Sequence, residues 1–542
     1  MNTQPPAPAQ TPDITIIMAV YNAMPYLSEC LQSIVTQTLG MEKIEVIAVD
    51  DGSTDGSGTE LDRYADRYPQ VRVIHQANSG GPSQPRNRAL DLARGRYTFV
   101  VDADDYLGPE SLQRLVAMAD EQHSDIVLAK LVGLGRAVSD KAHRHTPRAD
   151  LYTSEVYRTL HSAKLMRRSM LEREHIRYPE DLWFGEDQLF VTAAYLAART
   201  ISVVGDYDCY YLRLREDGGN ITSRRKNADE TVQHIERVMT MIADRVTDPT
   251  GRRRLLGRHF RALIDKAIVP AVRQQTTDPD YSHDVLKRCR TLCETHYTPD
   301  ITQELSQLAR IRLHAFQHRK DHALTTLAHY NPRHHHPDTL VDQGRMYRRY
   351  PLFRDPGAGL PDHLYDITDT LRTPHRLDHI QWRSTSTLRL TGHAYIDTLE
   401  TRHMATEITL LNRQTQQEHR IPAATRATPH LATPEGTRHP DHSLAGFTAD
   451  IDLRTLDAGN PITHGTWDLF LDVRAEGVLR TVRFGRFQED GLDTLARRPQ
   501  VIVPADEDGL ELTVSVFYTH GWNNLSLEVA QRRPLPAPAD TA

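Results

Sequence analysis

Asp102 and Asp104 close an apolar run, Val100-Val101-Asp102-Ala103-Asp104-Asp105. Side chains two apart on an extended chain point the same way, so these carboxylates can serve one nucleotide–cation assembly. An apolar strand ending in acids is how an α/β sheet presents a divalent cation to a ligand beyond its carboxyl edge. A second acidic turn, Asp50-Asp51-Gly52-Ser53-Thr54-Asp55, ends the apolar run 46–49. Asn78-Ser79-Gly80-Gly81-Pro82 follows a third run, and Pro85-Arg86-Asn87 opens a helix. Arg86 there can offer a planar fork to a base carbonyl or a phosphate. Gly185-Glu186-Asp187-Gln188 sets a carboxylate pair ahead of an apolar helix. A single acidic turn is usually only solvated; the weight rests on several such groups in order.

Residues 14–20, 46–49, 71–74 and 97–101 read as buried strands. Leu27, Leu31, Ile34 and Val35 mark an intervening helix by their spacing. Strand–helix alternation predicts a mostly parallel, Rossmann-like sheet with both acidic turns on its ligand-binding edge. From about 226 the period becomes helical, with Val232, Ile235, Met239, Ile242 and Val246 on one face. Beyond 380 it becomes two, as in Leu388/Leu390, Ile408/Leu410 and Trp467/Leu469/Leu471/Val473. Short alternating strands between Gly, Pro and Asn turns predict a β-sandwich.

Acids and bases are mixed, with a formal net charge of −7, which argues against nucleic acid as the partner. No apolar run reaches the roughly 18 residues of a membrane span. The polar, Pro-rich start is not a secretory signal. Four cysteines at 30, 209, 289 and 293 make no disulfide framework and predict a reducing compartment, the cytoplasm.

The motifs Ala19-Val20-Tyr21-Asn22, Val49 to Asp55, Asn78 to Pro82 with Arg86-Asn87, Asp102 to Asp105 and Glu186-Asp187 stand in the order seen in GT-A-fold, family 2 inverting glycosyltransferases, which the chain resembles. Asn78 to Pro82, Gly185 to Phe190 and the neighbourhood of Tyr347-Arg348-Arg349-Tyr350 more narrowly resemble the wall teichoic acid poly(ribitol phosphate) N-acetylglucosaminyltransferases. That resemblance implies a GT-A catalytic domain, an α-helical linker and an immunoglobulin-like β-sandwich used for trimerisation. It also implies a UDP-sugar donor, N-acetylglucosamine first, and an anionic polyol-phosphate or polysaccharide acceptor. Mn²⁺ or Mg²⁺ would be the cofactor. The implied location is cytoplasmic, at the inner face of the plasma membrane.

Carried over residue by residue, Ala19 and Tyr21 would flank the uracil, Asp51 would accept its imide N–H, and Asn78 and Arg86 would complete nucleotide binding. Asp102 would meet the ribose or the metal, and Asp104 would hold the metal. Asp187 would be the general base and Glu186 would orient the donor sugar, with Arg136 and Arg215 on the ligand side. The relatives carry a histidine in an Arg-Glu-Gly-x-His-x-Ser stretch that supports the diphosphate or metal. Here Arg215 to Ser223 is one residue longer and Asn220 replaces that histidine. Its amide keeps an oxygen for a hard cation but is the poorer phosphate donor, which leaves the donor sugar open.

The expected divisions are a disordered start (1–12), the catalytic domain (13–225), the linker (226–340), a connector (341–379), the sandwich (380–532) and a disordered tail (533–542). Two other readings stand beside the first: transfer to a capsular or exopolysaccharide acceptor, and a non-catalytic envelope assembly protein that works through its sandwich. Several residues also have plain structural readings. Asp50 serves a turn, Asp187 caps a helix starting near Gln188, Cys289 and Cys293 are a buried i,i+4 pair, and His334 to His336 form a solvated loop.

Overall fold

In this computed structural model the described residues are 11–220, 228–332, 334–433, 440–486, 499–504 and 510–533. The disorder expected of 1–12 and 533–542, and the last part of the 215–223 stretch, lie outside or at the margin of these. The chain forms two compact units, Met1–Tyr330 and Asn331–Ala542.

In the first unit, β1 (Ile14–Val20) and β2 (Ile44–Asp50) are almost wholly buried, as parallel strands covered on both faces must be. β3 (Val71–His75) and β4 (Tyr97–Val100) extend the sheet, with β1 parallel to β2 and β4, and β2 parallel to β3. Helices α1 (Tyr26–Val35), α2 (Ser57–Arg67) and α3 (Ser83–Leu92) connect them. Val20 lies opposite Asp50, and Ile17 opposite Val100. The chain therefore leaves β1, β2 and β4 side by side, carrying residues 21–22, 51–55 and 102–105 to one edge.

The second half of this sheet departs from strict alternation. The full order is β3-β2-β1-β4-β9-β6-β10-β8, after β5 (Tyr106–Leu107), β6 (Ile126–Ala129), β7 (Leu131–Leu134), β8 (Thr146–Ala149), β9 (Lys164–Arg167) and β10 (Ile201–Val204). β9 runs antiparallel to both β4 and β6. An antiparallel strand starts where its parallel neighbours finish, so the residues just before Lys164 arrive at the edge that carries Asp102. The sheet is parallel in its first four strands and mixed beyond. A smaller sheet joins β5 and β7 to β11 (Tyr210–Arg213).

α4 (Ser111–Glu121), α5 (Arg168–Arg173) and α6 (Glu186–Ala197) complete the α/β part. The linker helices follow: α7 (Ala228–Arg245), α8 (Pro249–Leu263), α9 (Val269–Gln274), α10 (Pro279–His296), α11 (Gln307–Gln317) and α12 (Asp321–His329). Polar bonds tie them to the α/β part, the first of them buried. Tyr157 Oη lies 2.9 Å from His259 Nε2, and Arg254 and Arg258 donate to the carbonyls of Tyr152 and Arg158, each at 2.7 Å. Cys289 and Cys293 are both buried in α10.

Among the described residues the second unit holds a two-stranded antiparallel sheet, 339–342 with 345–348, and two larger antiparallel sheets. One joins 375–382, 387–394, 446–452 and 424–426; the other is ordered 418–422, 405–412, 465–475, 525–532, 511–518 and 500–503. Leu388, Leu390, Ile408, Leu410, Trp467, Leu469, Leu471 and Val473 share one core. Alternation that buries one face of each sheet against the other defines a sandwich.

Candidate functional site

The carboxyl edge of β1, β2 and β4 gathers most of the residues singled out by type and spacing. Asp50 belongs to the turn: it accepts the Ser53 N–H at 3.0 Å and lies 2.9 Å from His75 Nδ1. Asp51, 3 % exposed, accepts the Ser79 N–H at 3.0 and 3.1 Å, Ser79 Oγ at 2.9 Å and Gln76 Nε2 at 2.7 Å. Asn78 Nδ2 donates to the Asp51 carbonyl at 3.0 Å. Gly52 makes this approach feasible, because it sits at φ +78° and a Cβ there would stand 2.8 Å from Asn78 N. Asp51 and Asn78 are thus together, bonded to each other's loops.

Arg86 is the centre of the site. Its guanidinium, 9 % exposed, donates to Asp102 Oδ1 at 2.8 Å and to Glu186 Oε1 at 3.0 Å. It also lies 5.2 Å from the centroid of the Tyr178 ring, which stacks on Phe190 of α6 at 3.9 Å. One side chain of α3 therefore joins the end of β4 to the start of α6. Asn87 holds the same segment, exchanging bonds of 2.8 Å with the Tyr178 N–H and carbonyl.

α6 begins at Glu186, two residues earlier than the sequence reading places it. Its N-cap is Gly185 at φ +81°, with no side-chain cap. Asp187 therefore does not cap the helix but stands in its first turn. A Cβ on Gly185 would meet His234 Cγ at 2.7 Å, so α7 packs directly on this turn. Trp183 Nε1 bonded to Glu230 at 3.0 Å, and Arg237 paired with Asp181, brace it further.

Asp104 meets Asn220. The Asn220 amide N donates to Asp104 Oδ2 at 3.0 Å and to the Arg213 carbonyl at 3.2 Å, while its oxygen accepts the Arg215 N–H at 2.7 Å. Those backbone partners orient the amide. Its oxygen faces away from Asp104, so Asn220 is not the oxygen ligand expected of it but a donor to the acid. Arg215 donates to the Asn22 carbonyl at 3.1 Å and pairs with Asp217, which places it beside the end of β1. Tyr21, 53 % exposed, lies on that edge, and Ala19 is half-buried within β1. Arg136 sits in the turn after β7 and makes no ion pair among the described residues.

Charge is crowded here. Burial works against the Asp102 carboxylate, but Arg86 and His161 hold it well below the usual range. Burial, then the charge of Asp102, pushes Asp104 up to about 6. Asp105 is raised by burial and by both neighbours, and its Oδ2 is enclosed without a hydrogen-bond partner among the described residues. Burial also raises Glu186 and Asp187. Three acids in four residues, two of them resisting ionisation, form an oxygen-rich donor set that suits a hard divalent cation. Asp104, whose Oδ1 accepts no hydrogen bond among the described residues, and Asp102 could hold such a cation.

Sequence reasoning missed His161, Lys164 and Tyr210. His161 Nε2 lies 3.4 Å from Asp102 Oδ2, and one ligand atom each from His161, Asp102 and Asp105 fall within 4.8 Å of one another. Lys164 is 2 % exposed, bonds the His161 carbonyl and is pushed down to about 7 by burial. Tyr210 Oη accepts the Asp102 N–H at 3.0 Å. No motif flags these residues, because β9 and β11 are four residues each and mix apolar with charged positions.

A mixed α/β sheet with an acidic carboxyl edge, a linker of helices and a β-sandwich define the class, and the family matches agree. Residues 15–177 match glycosyl transferase family 2, 228–328 the glycosyl transferase TarS linker domain, and 366–529 the TarS beta-glycosyltransferase C-terminal domain 1. In the order and extent of these matches the chain resembles a family 2 glycosyl transferase domain followed by linker and C-terminal domains of TarS type.

Among characterised relatives, a poly(ribitol-phosphate) beta-glucosyltransferase of Bacillus spizizenii is 44% identical over 39% of this chain and 33% of its own length. The poly(ribitol-phosphate) beta-N-acetylglucosaminyltransferase TarS of Staphylococcus aureus is 34% identical over 45% of this chain and 44% of its own. The matched stretches thus span less than half of either relative. The crystal structure of S. aureus TarS covers 96% of this chain, and 85% of that structure is matched, at TM-score 0.55 and 21% identity, a likeness of fold. TarS 1–349 in complex with UDP-GlcNAc covers 64% of this chain and is itself matched over 98%, at TM-score 0.56 and 26% identity. No helix among the described residues is long and apolar enough to cross a membrane.

Proposed function

We propose that the chain is an inverting glycosyltransferase that moves a sugar from a UDP-sugar to hydroxyls of an anionic cell-wall polymer such as poly(ribitol phosphate). The observation that carries this reading is the placement of Asp187. It stands in the first turn of α6, next to Glu186, whose bond to Arg86 links it to Asp102. Inversion needs one carboxylate to take the acceptor hydroxyl proton while that oxygen attacks the anomeric carbon from the face opposite the diphosphate. Asp187 is that base, and burial raises its proton affinity. Glu186 and Arg86 orient the donor sugar. Asp51, Asn78, Ala19 and Tyr21 line the nucleotide side; Arg215 and Arg136 stand toward the diphosphate.

A divalent cation, Mn²⁺ or Mg²⁺, held by Asp104 and Asp102 would neutralise the departing diphosphate, so no second acid is required. The UDP-GlcNAc complex of TarS and the names of the two relatives support a UDP-sugar donor, N-acetylglucosamine first and glucose second. The residue limits 13–225, 226–340 and 380–532 serve as the working division into transferase, linker and sandwich, with a trimer through the last.

A screen of UDP-sugars for UDP release with poly(ribitol phosphate) present tests this reading. Turnover that is lost in Asp187→Asn by about 10²- to 10⁴-fold, with UDP affinity retained, is expected. A chain that neither binds UDP nor turns over any UDP-sugar would overturn it.

A further inference from the structure

His161 sits among the acids of the site without belonging to any motif. The loop carrying it is pinned at several points. Tyr195 Oη donates to the Thr159 carbonyl at 3.3 Å, and the buried Lys164 ammonium donates to the His161 carbonyl. The His161 ring packs edge-on against Tyr210, 5.8 Å between centroids. Its Nδ1 accepts the Ala163 N–H at 3.1 Å. A ring nitrogen that accepts a hydrogen bond carries no proton, so the proton of the neutral imidazole is on Nε2. Turning the ring over would put carbons in both positions, losing the Ala163 bond and the approach to Asp102, so the ring orientation is determined.

A ligating histidine coordinates through one bare nitrogen and donates from the other. Here the bare nitrogen, Nδ1, faces the backbone, and the protonated one faces the acids. The proximity of His161 to Asp102 and Asp105 is therefore not that of a metal site.

We propose that His161 is a positioning residue, a neutral imidazole fixed as the Nε2–H tautomer that directs its proton at Asp102 Oδ2. Arg86 holds Asp102 Oδ1 at 2.8 Å, and His161 Nε2 stands 3.4 Å from Oδ2, so the imidazole flanks the side of the carboxylate that Arg86 leaves open. The same proton keeps a cation from ligating distance of Nε2 and leaves the cation to the Asp104 side. The tautomer stands on the geometry alone; the kinetic consequence rests on the transferase reading above.

Two measurements test the proposal. In full-length protein labelled with ¹⁵N-histidine, the ring signals that vanish in His161→Gln belong to His161. They should show a protonated Nε2 and a bare Nδ1, with and without Mg²⁺. A proton on Nδ1, or a Nε2 that becomes a ligand when Mg²⁺ is added, overturns the proposal whether or not the chain is a transferase. In turnover, Gln can place an N–H where Nε2 stands, whereas Asn reaches only the position of Nδ1. His161→Gln should stay within about fivefold of wild type, and His161→Asn and His161→Ala should fall by roughly 10- to 100-fold, the worth of a hydrogen bond to a charged group. Equal losses in Gln and Asn overturn the positioning role. If wild type turns over no UDP-sugar the function reading fails, while the ¹⁵N result still decides the tautomer.

Discussion

Arg86→Leu is the most informative perturbation of the site. The guanidinium is 9 % exposed and neutralises Glu186, 11 % exposed, and Asp102, 29 % exposed. Leucine fills much of the space but leaves two enclosed carboxylates without a counter-charge. Removing one partner of a buried ion pair costs about 3–5 kcal/mol, most of it the stranded charge. Opening of β4 and α6 should then be favoured by roughly 10²- to 10³-fold, at tenfold per 1.4 kcal/mol, and hydrogen exchange of peptides covering 97–105 and 186–197 reads this directly.

The cost also has a pH signature. Arg86 depresses the folded-state value of Asp102, so the stability this gives is present above the ordinary carboxylate range and is lost only as pH falls through the depressed value. In the variant, Asp102 loses the cation that depresses it and joins the already raised Glu186 in taking up protons more readily as pH falls, so the exchange ratio of variant to wild type should shrink on acidification. Adding Asp102→Asn and Glu186→Gln removes the stranded charges and should return at least half of the loss. An exchange ratio below about tenfold, or a triple variant no better than the single, would refute the argument that charge neutralisation by Arg86 holds the site together.

Gly185→Ala places a Cβ 2.7 Å from His234 Cγ at φ +81° and should destabilise by about 1–3 kcal/mol, read as a lower melting temperature together with weaker donor turnover. His75 is raised by its bonds to Asp50 and Asp62. The stability this gives is full below its unfolded value and is lost as pH rises through the folded one, so His75→Gln should lower the melting temperature more at pH 5.5 than at pH 8.5. Asp104→Asn should weaken Mn²⁺ binding by at least tenfold in titration calorimetry while leaving the melting temperature within a few degrees, since it removes a carboxylate that resists ionisation. Light scattering on the full chain should give three times the monomer mass, and a monomer would count against trimerisation.

What was legible in the sequence was whatever apolar periodicity can carry. Residues 14–20, 71–74 and 97–101 read as strands to within a residue or so, 46–49 falls inside the longer strand Ile44–Asp50, and the alternation from Leu388 to Val529 locates the sandwich. Acid spacing after those strands located Asp51, Asp102 and Asp104. The illegible parts depend on pairing across the sheet. Lys164-Leu165-Met166-Arg167 is too short and too charged to read as a strand, yet its antiparallel insertion is what brings His161 to Asp102. Gly185 at positive φ starts α6 two residues early and moves Asp187 from a cap into the first turn. The direction of the Asn220 amide is set by two backbone partners that composition does not reveal.

The saturation of Asp51 bears on how a nucleobase would be chosen. Both of its oxygens already accept, and any base N–H arriving there must evict a donor. Ser79 Oγ also stands 3.1 Å from the Gly81 carbonyl, so the evicted hydroxyl has a second acceptor within reach of a small rotation. Recognition at this position is then an exchange rather than an addition: one bond is traded for another, and the serine is not stranded. Affinity from such a contact would be small while selectivity stays high, because a base without that N–H has nothing to offer in the trade and leaves the loop closed.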